Sequence, residues 1–144
     1  MRRRTRISDT LRKRVAKRAG FRCEFCQSSQ ETSAETFEID HAIPLSHGGV
    51  SEFGNLSFTC SNCNGAKHAR LTADDPETGR MVMLFNPRRQ KWERHFEWSE
   101  DSLRLVGRTA TGRATVSALR MNRERAVEVR RLLSLLGRHP PPES

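Results

Sequence analysis

Nowhere does the chain approach the ~20 consecutive apolar residues that a membrane span requires. The start, Met1-Arg2-Arg3-Arg4, is basic, but no apolar segment follows it. A secretory signal is therefore not expected, and the chain is read as cytoplasmic. Hydrophobic residues make up only 35% of the 144 positions. The first ~80 residues alone would bury a thin core and would gain from a structural metal. No internal repeat and no heptad run is present, which removes solenoids and coiled coils. Cysteine is scarce too: four residues, arranged as Cys23/Cys26 and Cys60/Cys63. In a reducing compartment, two Cys-x-x-Cys pairs point to zinc rather than to disulfides.

One further absence is local. Residues 23–66 contain no lysine or arginine and six acids, a charge of −6. Residues 1–22 carry +9 and residues 67–144 carry +6. Basic flanks around an acidic centre suit a polyanion gripped at both ends, with a divalent cation neutralising the middle. The plainer alternative is that the arginines only solvate helix faces.

The length allows one domain, or a small core with an extension. The turn residues Asp74-Asp75-Pro76-Glu77-Thr78-Gly79 suggest a boundary, giving a core over 1–80 and an extension over 81–144. Ser8 to Ala19 reads as a helix capped by Ser8 and stopped by Gly20, with Leu11, Val15 and Ala19 as a narrow apolar stripe. Thr36 to Ile43 alternates as a strand, with Phe37, Ile39 and His41 on one side and Glu38 and Asp40 on the other. Asn55 to Cys60 enters a second strand or a metal turn, and Ser61 to about Leu71 reads as a helix. Beyond residue 80, His95–Trp98 and Leu103–Val106 predict a hairpin. Helices are expected from Thr111 and, recapped by Asn122, over a face of Ala126, Val129, Leu133 and Leu136. The fold class is α+β.

Four thiolates at this spacing form a closed set for one tetrahedral Zn2+, which is structural because no ligand position stays open. Independent buried or redox-active thiols are the alternative. Asp40-His41, between the two pairs, calls for a different ion. Hydrolysing a phosphodiester at neutral pH needs a base, a cation for the developing charge, and a scaffold to align them. A neutral histidine suits the first role. A hard ion such as Mg2+ suits the second, and the carboxylate of Asp40 and the amide of Asn64 are fitting oxygen ligands. On one helix, Asn64, Lys67 and His68 would share a face.

The segment Phe37-Glu38-Ile39-Asp40-His41-Ala42-Ile43-Pro44-Leu45-Ser46-His47-Gly48-Gly49, then Asn55-Leu56, then Cys60-Ser61-Asn62-Cys63-Asn64-Gly65-Ala66-Lys67, resembles the HNH endonuclease motif. This is the ββα-metal (His-Me finger) fold in its four-cysteine-zinc version, and the likeness covers roughly residues 21–70. The resemblance implies that His41 is the general base and Asp40 a ligand of a catalytic Mg2+ or Mn2+. It implies that Asn55 fixes the loop that aims His41. The last position of the motif is usually histidine; Asn64 here matches the HNN version, in which the asparagine binds the metal and harder ions are favoured. His68 stands where some members have a second helix ligand, against a phosphate contact or an exposed histidine. The whole chain, with its Asn86-Pro87-Arg88 and Trp92 to Thr115 tail, resembles small stand-alone bacterial HNH proteins.

The expected activity is metal-dependent hydrolysis of DNA that leaves 5′-phosphate and 3′-hydroxyl ends, with RNA not excluded as a substrate. Arg12, Arg14, Lys17, Arg18 and Lys67 are the candidate backbone contacts, and the arginine-rich segments 2–18 and 113–131 are expected to grip the backbone without reading bases. The rival is a non-catalytic zinc module that binds nucleic acid, although such a module has no use for Asp40-His41 or for a second asparagine at motif spacing. A third reading is a nuclease active only inside an assembly. His47 reads as a loop histidine more than a phosphate contact. Phe96 and Trp98 read as hairpin core rather than stacking platforms. The face over 126–136 is either internal packing or the seam of a homodimer or larger assembly.

Overall fold

A computed structural model describes residues 7–142. The arginines at positions 2–6, part of the expected basic grip, lie outside the described residues. Two compact units divide the chain. One takes the residues up to Leu71 together with Asn86–Gln90; the other takes Thr72–Phe85 and the residues from Lys91 onward. Among the described residues no helix is long and apolar enough to cross a membrane.

The first unit opens with α1, Asp9–Arg18. Ser8 Oγ caps it by accepting from Leu11 N–H at 3.1 Å, and Gly20 leaves it at φ +63°. Val15 and Ala16 are its buried residues, so the stripe lies a step away from Leu11 and Ala19. The chain then forms the knuckle Cys23–Cys26, which Glu24 joins to the sheet. Glu24 N–H donates to Phe58 O at 2.9 Å, and its Oε2 accepts from Phe58 N–H at 2.8 Å. The other oxygen of Glu24 takes the guanidinium of Arg88, which gives the Asn86–Gln90 segment its anchor.

Strands β1 (Glu38–His41) and β2 (Leu56–Thr59) pair antiparallel, with Asp40 opposite Ser57 and His41 opposite Leu56. Helix α2 (Ser61–Lys67) follows at once, so residues 38–67 run strand, strand, helix: the ββα order expected above, in a mixed α+β chain. α2 stops four residues before Leu71 because His68 adopts φ +48°, ψ −126°. Phe25, Phe37, Leu56 and Phe58 form the small core, with the Phe37 and Phe58 rings 5.3 Å apart.

The second unit holds hairpin β3 (Thr72–Asp74) with β4 (Met81–Met83), the short helix α3 (Trp92–His95), hairpin β5 (Phe96–Trp98) with β6 (Leu105–Gly107), and helices α4 (Ala110–Ala118) and α5 (Glu124–Leu135). The stretch 74–79, expected to be a turn, is the turn of this hairpin. Asp75, 0% exposed, closes it by accepting from Glu77 N–H, Thr78 Oγ1 and the Arg113 guanidinium. Phe85, Trp92, Phe96 and Trp98 make a chain of ring contacts with centroids 5.1–6.2 Å apart. Gly112 lets α4 approach closely, since a Cβ there would meet His95 O at 1.9 Å. Asn122 does not cap α5, as its side chain pairs with both Leu105 N–H and Leu105 O at 2.8 Å. The buried face of α5 is Ala126, Val127 and Arg130, while Val129 and Leu136 are exposed. Arg130 takes the inner place because its guanidinium finds acceptors in Leu103 O and Met121 O.

Candidate metal and phosphodiester site

Cys23, Cys26, Cys60 and Cys63 are buried, and their sulfurs all lie within 4.8 Å of one another. Two tight turns bring this about: Cys26 N–H faces Cys23 Sγ at 3.5 Å, and Cys63 N–H faces Cys60 Sγ at 3.4 Å. A tetrahedral zinc with bonds of about 2.3 Å needs sulfurs about 3.8 Å apart. Cys26 Sγ and Cys60 Sγ are 3.7 Å apart, far too distant for a disulfide and right for a shared ion. The set fits a zinc site.

The loop between β1 and β2 is closed by one side chain. Asn55, 8% exposed, accepts from Ile43 N–H at 2.8 Å through Oδ1. Its Nδ2 donates to Ile43 O and Val50 O, both at 2.9 Å. Donor and acceptor ends each meet complementary backbone, which settles the orientation of the amide. Gly49 is required here because a Cβ would meet Ile43 O at 1.7 Å and Asn55 Nδ2 at 2.9 Å. Arg18 brackets the turn from outside: it donates to Phe53 O at 2.7 Å and to Leu56 O, with its guanidinium 3.8 Å over the Phe53 ring.

The closed loop brings Ser51 to His41, with Nε2 and Oγ 2.8 Å apart. Burial, with the nearby charge of Lys67 adding to it, holds the imidazole below its ordinary pKa, which favours the neutral ring. In the tautomer that donates Nε2–H to Ser51, Nδ1 keeps its lone pair for a proton. Ser51 had no motif signal. Only the closure of the loop by Asn55 reveals it.

On the other face of β1, Glu38 and Asp40 point toward α2. The Asn64 amide donates through Nδ2 to Glu38 Oε2. One turn on, Lys67 Nζ lies 2.9 Å from Asp40 Oδ2 and donates to His41 O at 3.0 Å. Burial pushes the Asp40 carboxyl above its ordinary range, against the opposing pull of Lys67 and of His41 N–H. The carboxylates and the amide oxygen are hard donors of the type Mg2+ or Mn2+ takes, and Asp40 Oδ2, paired with the Lys67 ammonium, still has a second lone pair. This donor set fits a hard divalent ion.

Two of the expected nucleic-acid contacts need correction. Lys67 is 2% exposed and holds β1, so it cannot reach a phosphate backbone. Arg18 spends its guanidinium on two carbonyl oxygens and a ring. Arg12 and Lys17 are exposed on α1; Arg14 is exposed as well, with its guanidinium 4.4 Å from the Phe53 centroid. His68 is exposed but lies past the end of α2, so helical spacing no longer puts it on the face of Asn64. His47 is an exposed loop residue.

Residues 23–70 match the family model described as HNH endonuclease. The match spans both cysteine pairs, β1, β2 and α2. No curated protein and no solved structure matches the chain.

Proposed function

From the premise that residues 23–70 form an HNH endonuclease domain, we propose that this chain hydrolyses phosphodiester bonds of DNA with a divalent metal held by Asp40 and Asn64. The observation that carries the reading is the strand end itself. Asp40 faces the helix that bears Asn64, and the neighbouring His41 faces the loop that Asn55 closes. Adjacent strand residues leave opposite faces, so base and metal ligands are separate yet rigidly related.

His41 takes a proton from a water molecule at Nδ1, while Ser51 keeps the ring from turning. The oxygen of that water attacks phosphorus, the bond from phosphorus to the 3′ oxygen breaks, and the leaving oxygen collects a proton from solvent. The ends are 5′-phosphate and 3′-hydroxyl. Bound Mg2+ or Mn2+ would supply positive charge where the leaving oxygen and the phosphorane become negative. Asn55 prevents the loop from drifting, which matters because reacting atoms must sit within about 3–3.5 Å. Arg12, Arg14 and Lys17 offer charge to the DNA backbone without reading bases. The four-cysteine site takes no part in the chemistry and holds the scaffold.

The test is cleavage of supercoiled plasmid with Mg2+ or Mn2+. His41→Ala should lower the rate by about 10²–10⁴-fold with zinc content and fold retained, the usual range for losing a general base. Full activity in that variant would end the mechanism. A gel shift without cleavage by the wild type would favour a zinc-stabilised binding module.

A further inference from the structure

Lysine is almost never fully buried unless something pairs with it. Lys67 is 2% exposed, at the last turn of α2, and its ammonium lies between Asp40 Oδ2 and His41 O. The contact with Asp40 is an ion pair at 2.9 Å, short enough for a charge-assisted hydrogen bond to one lone pair of Oδ2. The bond to His41 O is regular, at 3.0 Å. One cation therefore grips the two residues on which the proposed chemistry depends, from inside the protein, and leaves a lone pair of Asp40 unspent.

We propose that Lys67 is a built-in counter-ion of Asp40. It holds the carboxylate and the end of β1 in place before a metal arrives, and it competes with a divalent cation for that carboxylate. The inference rests on the reading of Asp40 as a metal ligand. Two consequences follow from charge alone. Without Lys67, the buried carboxylate would face its desolvation cost unpaired, and the metal would become its sole counter-ion. With Lys67 present, a doubly charged ion must settle beside an ammonium, so metal binding is weakened. Lys67 is a positioning residue: it reaches the reaction only through Asp40 and His41.

The experiment is titration of the zinc-loaded full chain with Mn2+, read by electron paramagnetic resonance as loss of the free-ion signal. The proteins are wild type, Lys67→Met, Lys67→Arg and Asp40→Asn. Lys67→Met should bind Mn2+ roughly tenfold more tightly than wild type, because the competing charge is gone while the side-chain volume is kept. Mn2+ should also raise its melting temperature by more than it raises that of wild type. Lys67→Arg, which keeps the charge, should bind close to wild type. Equal or weaker binding by Lys67→Met overturns the proposal, since a merely structural lysine would loosen the site when removed. If wild type and Asp40→Asn bind Mn2+ alike, the reading of Asp40 as a ligand fails instead, and the competition falls with it.

Should Lys67→Met not fold, the wild type alone decides. The 15Nζ resonance of the buried Lys67 ammonium should shift on saturation with Mg2+. An unmoved resonance at saturation overturns the proposal.

Discussion

The two units of this protein are held together by different means. In the second, rings do the work: Phe85, Trp92, Phe96 and Trp98 form one aromatic cluster, and Arg130 lies inside, bonded to carbonyls and 5.3 Å from the Trp98 centroid. In the first, a thin core is supplemented by polar and sulfur contacts: four thiols in one cluster, Asn55 across its loop, Glu24 on Phe58 and Arg88, Lys67 on Asp40. A small domain that spends its side chains on placing polar groups has little apolar surface left to stabilise it. The contrast leads to the expectation that the unit bearing the candidate chemistry needs the ion on its four cysteines for its shape, while the other rests on its ring cluster.

Zinc removal breaks the comparison most sharply. Structural zinc contributes about 10 kcal/mol in small domains, more than a thin core can supply. Chelation, or Cys23→Ala, should unfold the first unit, seen as lost amide protection in β1 and β2. Both tryptophans, Trp92 and Trp98, belong to the second unit, so the near-UV tryptophan signal should persist. Joint loss of both signals would show that the division is only geometric.

The converse break is Arg130→Ala. It strips a guanidinium from the carbonyl oxygens of the buried residues Leu103 and Met121, and from Asn122 Oδ1, which keeps its bond from Leu105 N–H. A loss of about 3 kcal/mol is expected, as for charged hydrogen bonds without replacement. The Trp98 emission should report it in thermal melts while zinc content stays constant.

The smallest effect is a matter of pH. Asp75 is buried, wrapped by its own turn and by Arg113, and the Arg113 hydrogen bonds, foremost among the causes, hold its pKa below the ordinary carboxylate value. A depressed folded pKa stabilises the protein above the unfolded pKa of about 3.9 and is lost as pH falls through the folded value. Melting of the second unit should therefore worsen as pH falls below about 4. Asp75→Asn should flatten that dependence; an unchanged slope would remove Asp75 from the account.

What could be read along the chain was whatever depends on close spacing. The Cys-x-x-Cys turns, the Ser8 cap, the alternation through Asp40 and His41, and the strand pair around Phe96 are all set by neighbours a few residues away, and each has its counterpart in the fold. The resemblance to the HNH motif carried the same local information further, as far as the place of Asn55. Charge misled where folding decides what a cation touches. Lys67 and Arg18 read as solvated or DNA-facing because nothing in their own helices shows that carbonyl oxygens 26 to 38 residues away will claim them. Asn122 read as a cap for the same reason, since it bonds to a strand that only tertiary structure brings near. Ser51 carried no spacing signal, and Glu38 only its alternation with Asp40. They emerge as partners of His41 and Asn64 once the loop and the helix are in place.

In the proposed mechanism two ions would serve separate ends in one small unit: one on sulfur for shape, one on oxygen for chemistry. Asp40→Asn tests it most directly, assayed for bound zinc and for Mg2+-dependent nicking of supercoiled DNA on the same preparation. One zinc per chain is expected, as in wild type, with nicking reduced by at least about 100-fold, in line with removal of a ligand of the catalytic metal. Nicking at the wild-type rate, or loss of the zinc together with the activity, would contradict it.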